Sequence, residues 1–222
     1  QEFDAEKIKG DIDFKHVAFG YYPDKPVLED FHVDVYSGHK IALVGATGSG
    51  KTTIVNLLLR FYDINNELSG SIYVDDMDIS SIEKRTYREH IGIVLQEPVL
   101  FKGTIASNIK FGKDVTDEEV EKVLTMIGGK KIIDKFPQGI HQRITRSGLN
   151  MSAGEKQLIS LARVLIHDPS ILIMDEATSH IDLETEEMVK NALKVVSKNR
   201  TVIVIAHRLS TIFDADKIIV LD

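Results

Sequence analysis

The strongest constraint on this chain is the run Gly45-Ala46-Thr47-Gly48-Ser49-Gly50-Lys51-Thr52, which matches G-x-x-x-x-G-K-[ST] at every fixed position. Lys40 to Val44 reads as a short apolar strand leading into it, and residues 52–61 (TTIVNLLLRF) have helical length and composition. That context gives the pattern its meaning. Glycines let backbone N–H groups turn inward around an anion, and a helix starting at the end of the loop aims its positive end at the same place. Lys51 is then expected to reach the β- and γ-phosphates of a nucleotide, and the Thr52 hydroxyl to ligate Mg²⁺. A glycine-rich turn with an incidental lysine would account for the glycines but not for their position between strand and helix.

The remaining segments point to an α/β chain. Ile12, Phe14, Val17 and Phe19 suggest a strand with a slip in its alternation, followed by a Tyr-Tyr-Pro-Asp turn, and residues 1–10 read as a linker or frayed end. Ser71–Val74, Gly92–Leu95, Ile171–Met174, Thr201–Ile205 and Lys217–Leu221 read as strands, and Leu183–Ser197 as a helix. Strands separated by helices imply parallel pairing. Two capping boxes open helices in the middle: Thr116 with Glu119, running to about Ile127, and Ser152 with Glu155, running to about Ile166 before Asp168-Pro169. The stretch 98–167 offers no convincing strand and is expected to be a helical insertion.

Composition narrows the function. At 222 residues and 43% hydrophobic, the chain can bury a sizeable core. It has no cysteine, so neither a disulfide nor a thiolate zinc site is possible. A net charge of −7 argues against a broad non-specific nucleic-acid surface.

Three strand ends carry further chemistry. The strand Ile171–Met174 runs into Asp175 and Glu176. Alternation points adjacent side chains to opposite faces, so the two acids need not share a role. Asp175 is assigned to the metal and Glu176 to the base that polarises an attacking water. Thr201–Ile205 leads through Ala206 to His207, and Gly92–Leu95 ends at Gln96. Either residue alone would say little.

Taken together, these residues resemble the nucleotide-binding domain of an ABC transporter over nearly the whole chain. Gln96 stands at the place of the family's Q-loop glutamine, which links the metal site to the membrane domain and is a metal ligand. Met151-Ser152-Ala153-Gly154-Glu155 stands at the signature, usually Leu-Ser-Gly-Gly-Gln. Ser179-His180-Ile181-Asp182 looks like the D-loop, and His207 like the histidine that contacts the γ-phosphate. Tyr21 matches the aromatic that stacks on adenine, with Tyr22 as rival. Nucleotide contacts are accordingly expected from Tyr21, residues 45–53 including Thr53, and Ser152, Gly154 and Asp182. Pro98 to Gly112 resembles the exporter type.

The resemblance implies an α/β fold: a P-loop NTPase core with a mainly parallel sheet and an N-terminal antiparallel β portion. It also implies an α-helical subdomain between Q-loop and signature. One domain would fill the chain, residues 1–97 and 168–222 as ATP-binding core and 98–167 as helical subdomain, with transmembrane domain and extreme C-terminus absent. The implied activity is Mg²⁺-dependent ATP hydrolysis driving export at the cytoplasmic face of the cell membrane. The implied partners are ATP, the exporter's transmembrane domains and a second nucleotide-binding domain placed head to tail, with no nucleic acid. A soluble ABC ATPase acting on nucleic acid or the ribosome is the alternative. Coiled-coil heptads, usual in such relatives, do not appear.

Departures from the family pattern fall on the surface offered to the partner. Ala153 replaces a glycine, Glu155 a glutamine, Leu158 an arginine, and Arg146 the X-loop glutamate. They favour one half of a heterodimeric exporter, a homodimer being the alternative.

Overall fold

The computed structural model describes residues 8–64, 69–145, 148, 150–175, 183–207 and 212–222, without the side chains of 183–185. The chain groups into two compact units, Gln1–Gly92 with Ser170–Glu176 and Asn199–Asp222, and Ile93–Pro169 with Ala177–Lys198.

The first unit contains an antiparallel and a mainly parallel sheet. In the antiparallel one, β1 (Ile12–Phe19) lies between β2 (Leu28–Val35) and β4 (Ser71–Val74), and β4 continues to the two-residue β5 (Met77–Asp78). Ile12 faces Val35 on one side and Val74 on the other, which fixes the register. The slip in alternation is a bulge: pairing shifts between Phe14 and Val17, and His16 takes a φ of 50°. Residues 8–10 are no frayed end. The Lys9, Gly10 and Asp11 N–H groups all donate to the Asp75 carboxylate at 2.7–3.0 Å, and Gly10 O accepts from the Thr201 hydroxyl at 2.7 Å.

The other sheet has the order β11-β3-β10-β9-β6, where β3 is Lys40–Gly45, β6 Ile91–Val94, β9 Ile171–Asp175, β10 Thr201–Ile205 and β11 Lys217–Leu221. The β11–β3, β3–β10 and β10–β9 pairs are parallel. β10 is buried at every position, as an unbroken Thr-Val-Ile-Val-Ile run in a two-sided parallel sheet requires. Ile205 pairs with Leu43 and with Asp175, so the carboxyl ends of β3, β9 and β10 emerge along one edge. That edge is where open parallel sheets hold ligands.

Helix α1 (Lys51–Leu58) packs on this core through Ile54, Leu57 and Leu58, which bury with Ile41, Leu43 and Ile203. It ends three residues earlier than the sequence suggests, because Arg60 turns left-handed at φ 53° and sends its guanidinium to the carbonyls of Ser80 and Ile82. The short α2 (Lys84–Glu89) is capped by the Glu83 carboxylate and contributes Tyr87, whose hydroxyl donates to Leu58 O at 2.8 Å. Burial pushes the Tyr87 phenol pKa far up, so it stays a neutral donor. Tyr87→Phe leaves that buried carbonyl without its partner and should cost about 1–2 kcal/mol, measured by urea unfolding.

The second unit is helical. α6 (Ala153–His167) packs against α3 (Ile105–Lys110), α4 (Asp117–Met126) and α7 (Leu183–Ser197), and α5 (Lys130–Lys135) packs on α4. Both capping boxes form, Thr116 with Glu119 and Ser152 with Glu155. Asp168 ends α6 in a left-handed conformation ahead of Pro169. The stretch 98–167 is not free of strands, however. β7 (Gly103–Thr104) pairs antiparallel with β8 (Arg143–Ile144), and two residues are too short to leave a periodic signal. The loop before α3 is tied down by the buried Asn108, which binds Phe101 N and O and Thr104 O, and by Arg163, which donates to Val99 O and Asn108 O.

Candidate functional site

The carboxyl edge of the parallel sheet gathers the chemistry of the first unit. β3 ends at Gly45 with a φ of 156°, and a side chain there would strike Leu221 O and the Ser49 hydroxyl. At the other end of the loop Gly50 takes a φ of 103° as N-cap of α1 and supplies no capping side chain. The first-turn N–H groups of α1 therefore have no side-chain cap, and no acidic residue lies in that turn to oppose the dipole. This is the construction of an anion site.

Lys51 opens α1, and only 9% of its surface is exposed. Its ammonium donates to Gly45 O and Ala46 O, both at 2.7 Å, with the Ser49 hydroxyl at 3.5 Å. A phosphate oxygen is a charged acceptor and competes well with such neutral carbonyls. Thr52, next along α1, is exposed.

Thr53 is buried, and its hydroxyl lies 3.1 Å from the Tyr21 hydroxyl. Asn56, one turn on, donates its amide to the same hydroxyl at 3.3 Å. The Tyr21 ring also meets Phe19 and Tyr62 edge to face, at 5.2 and 5.0 Å. Tyr22 instead sits in a one-bridge turn with Lys25 and is 66% exposed. Of the two rival tyrosines, Tyr21 is the one held against the phosphate-loop helix.

Asp175 ends β9, and His207 follows β10 with its Nε2 at 3.6 Å from Asp175 Oδ1. The strands thus bring carboxylate and imidazole together from positions 32 apart in sequence. Thr52 and Asp175 offer oxygen donors of the kind a small hard cation takes. Among the described residues no three His, Asp or Glu side chains could hold a metal by themselves. Glu176, Asp182, the rest of the D-loop run and Arg146 lie outside the described residues.

In the second unit, Gln96 follows β6 and is exposed, and the preceding carbonyl of Leu95 accepts from the Gln157 amide at 3.5 Å. Ser152 caps α6 and Gly154 lies buried in its first turn. Ala153 is exposed, so its extra methyl points away from the packed interior. Two features escaped sequence reasoning. Lys135 bonds Glu155 at 2.6 Å, and Asn56 and Tyr62 brace Tyr21. Such pairs are set by tertiary packing and leave no local pattern.

Residues 28–179 match the ABC transporter family. The chain is 46% identical over 98% of its length to a probable multidrug resistance ABC transporter ATP-binding/permease protein, YheH, of Bacillus subtilis (strain 168), covering 32% of that protein. It is 42% identical over 99% of its length to a fatty acid ABC transporter ATP-binding/permease protein of Mycobacterium bovis, covering 34% of it. Among solved structures, a bacterial Atm1-family ABC exporter with ATP bound superposes with a TM-score of 0.84 at 40% identity, over 96% of this chain and 37% of that one. The chain thus spans about a third of the length of these relatives. With a matched family over most of its length and the phosphate loop, Asp175 and His207 on one sheet edge, the chain belongs to the ABC transporter family.

Proposed function

We propose that this domain binds Mg·ATP and hydrolyses it to drive export, closing head to tail with a second nucleotide-binding domain. The carrying observation is the convergence of the Gly45–Thr52 loop, Asp175 and His207 on the carboxyl edge of the parallel sheet. In this reading the loop N–H groups and Lys51 hold the β- and γ-phosphates, and Tyr21 stacks on the adenine. Thr52, Asp175 and Gln96 hold Mg²⁺, which when bound neutralises charge on the phosphate oxygens. Glu176 takes a proton as water attacks the γ-phosphorus and ADP leaves, while His207 donates to the γ-phosphate. Ser152, Gly154 and Asp182 complete the pocket of the facing domain. Residues 1–97 and 168–222 act as the ATP-binding core and 98–167 as the helical subdomain.

No described helix is long and apolar enough to cross a membrane. Two of the relatives named above are ATP-binding/permease proteins, which supports a domain working beside membrane helices, and the place proposed for it is the cytoplasmic face. Their names include multidrug and fatty acid transport, and the cargo is proposed to be set by the transmembrane domains. The placement of Tyr21 gives the reading a direct test. Tyr21→Ala should weaken ATP binding by about 1–3 kcal/mol, the range for losing one stacked base, with Tyr22→Ala unchanged within about twofold. Equilibrium titration of both variants with Mg·ATP checks it, and the reverse ranking would remove Tyr21 from the site.

A further inference from the structure

Glu155 lies in the first turn of α6, where the family's usual signature has a neutral glutamine. In the reading above, which this inference deepens, that helix end meets the γ-phosphate of ATP held by a facing domain. A free carboxylate there would repel a polyanion. The structure shows a carboxylate with both oxygens engaged. Oε2 accepts the Ser152 backbone N–H at 2.9 Å, and Oε1 accepts Lys135 Nζ at 2.6 Å. Glu155 is 14% exposed against 50% for Lys135, so the carboxylate is turned inward and the ammonium lies outside it. Lys135 closes α5, and its ammonium stays 5.2 Å from the Phe136 ring. The Ser152 hydroxyl accepts the Glu155 N–H at 3.2 Å and still has its own proton to donate.

A glutamine at 155 could not make the same pair of contacts. With its oxygen on the Ser152 N–H, its amide nitrogen would face the Lys135 ammonium, donor against donor. Lys135 and Glu155 therefore belong together as a unit.

We propose that Lys135 is a positioning residue: by neutralising Glu155 and holding it in the capping box, it keeps this variant signature able to close on ATP bound to a second copy of the chain. One obstacle to self-pairing, a negative charge in the signature, is thereby cancelled within the chain.

The test uses the chain carrying Glu176→Gln, which suppresses turnover, and follows dimer mass by sedimentation as Mg·ATP is raised. Adding Lys135→Met should raise the ATP concentration for half-dimerisation about tenfold. Lys135→Arg should stay within about twofold of the parent. Lys135→Met combined with Glu155→Gln should return to the parent value, since no uncompensated charge remains. Thermal melts accompany each variant, and Lys135→Gln with its own Glu155→Gln double replaces the methionine pair if the latter fails to fold. A Lys135→Met curve matching the parent overturns the proposal, and so does a double variant no better than the single, the signature of a purely structural lysine. A parent chain that binds ATP but stays monomeric overturns self-pairing and the proposal together. A parent that dimerises with an indifferent Lys135 overturns the proposal alone.

Discussion

Glu176→Gln should lower ATP turnover by about 100-fold or more while nucleotide binding is retained. The expectation rests on the proposed division of roles between two adjacent acids. β9 delivers Asp175 to the carboxyl edge of the sheet, and Glu176 is the next residue in sequence. In the proposed reading Asp175 serves the cation and Glu176 takes a proton from the attacking water. Loss of a positioned general base costs about 10²–10⁴ in rate, and glutamine keeps the size of the side chain while abolishing its basicity. Single-turnover phosphate release, with bound nucleotide measured in parallel, separates the effects. Turnover within tenfold of the parent would give the base role to another residue.

Lys51→Ala should be as severe, but by another route. Lys51 is largely buried, and its ammonium is already fixed over the loop by Gly45 O and Ala46 O at 2.7 Å. Alanine removes both a cation from the phosphate site and the internal tie that holds the loop's two ends. Deleting one preorganised electrostatic contact costs about 10²–10³ in turnover, and here ground-state binding of ATP should fall as well. The two variants are therefore distinguishable: Glu176→Gln loses rate alone, whereas Lys51→Ala loses rate and affinity. Loss of affinity in Glu176→Gln, or unchanged affinity in Lys51→Ala, would reverse the roles given to them.

How much of this was legible in the sequence depended on how local each signal was. The phosphate loop could be read because the glycines, Lys51 and Thr52 lie within eight consecutive residues between two apolar segments. The bulge at His16 showed as a break in alternation, and α6 was bounded correctly because Ser152, Glu155, Asp168 and Pro169 are all local punctuation. β2 went unread. Its apolar residues Leu28, Phe31, Val33 and Val35 slip out of phase after the first, and only Leu28 and Val35 are buried. The end of α1 is not marked locally, because Arg60 leaves the helix to reach the carbonyls of Ser80 and Ile82, twenty and more residues away. The same distance effect hid Lys135. Glu155 read alone is either a capping residue or a misplaced charge, and its partner twenty residues earlier decides between them.

Saturable Mg·ATP binding by the Glu176→Gln chain, measured by equilibrium titration with and without Lys51→Ala, tests the central claim most directly. One ATP per chain is expected, dependent on Mg²⁺ and lost with Lys51→Ala. A folded chain with no saturable binding, or with binding indifferent to Lys51, would contradict it.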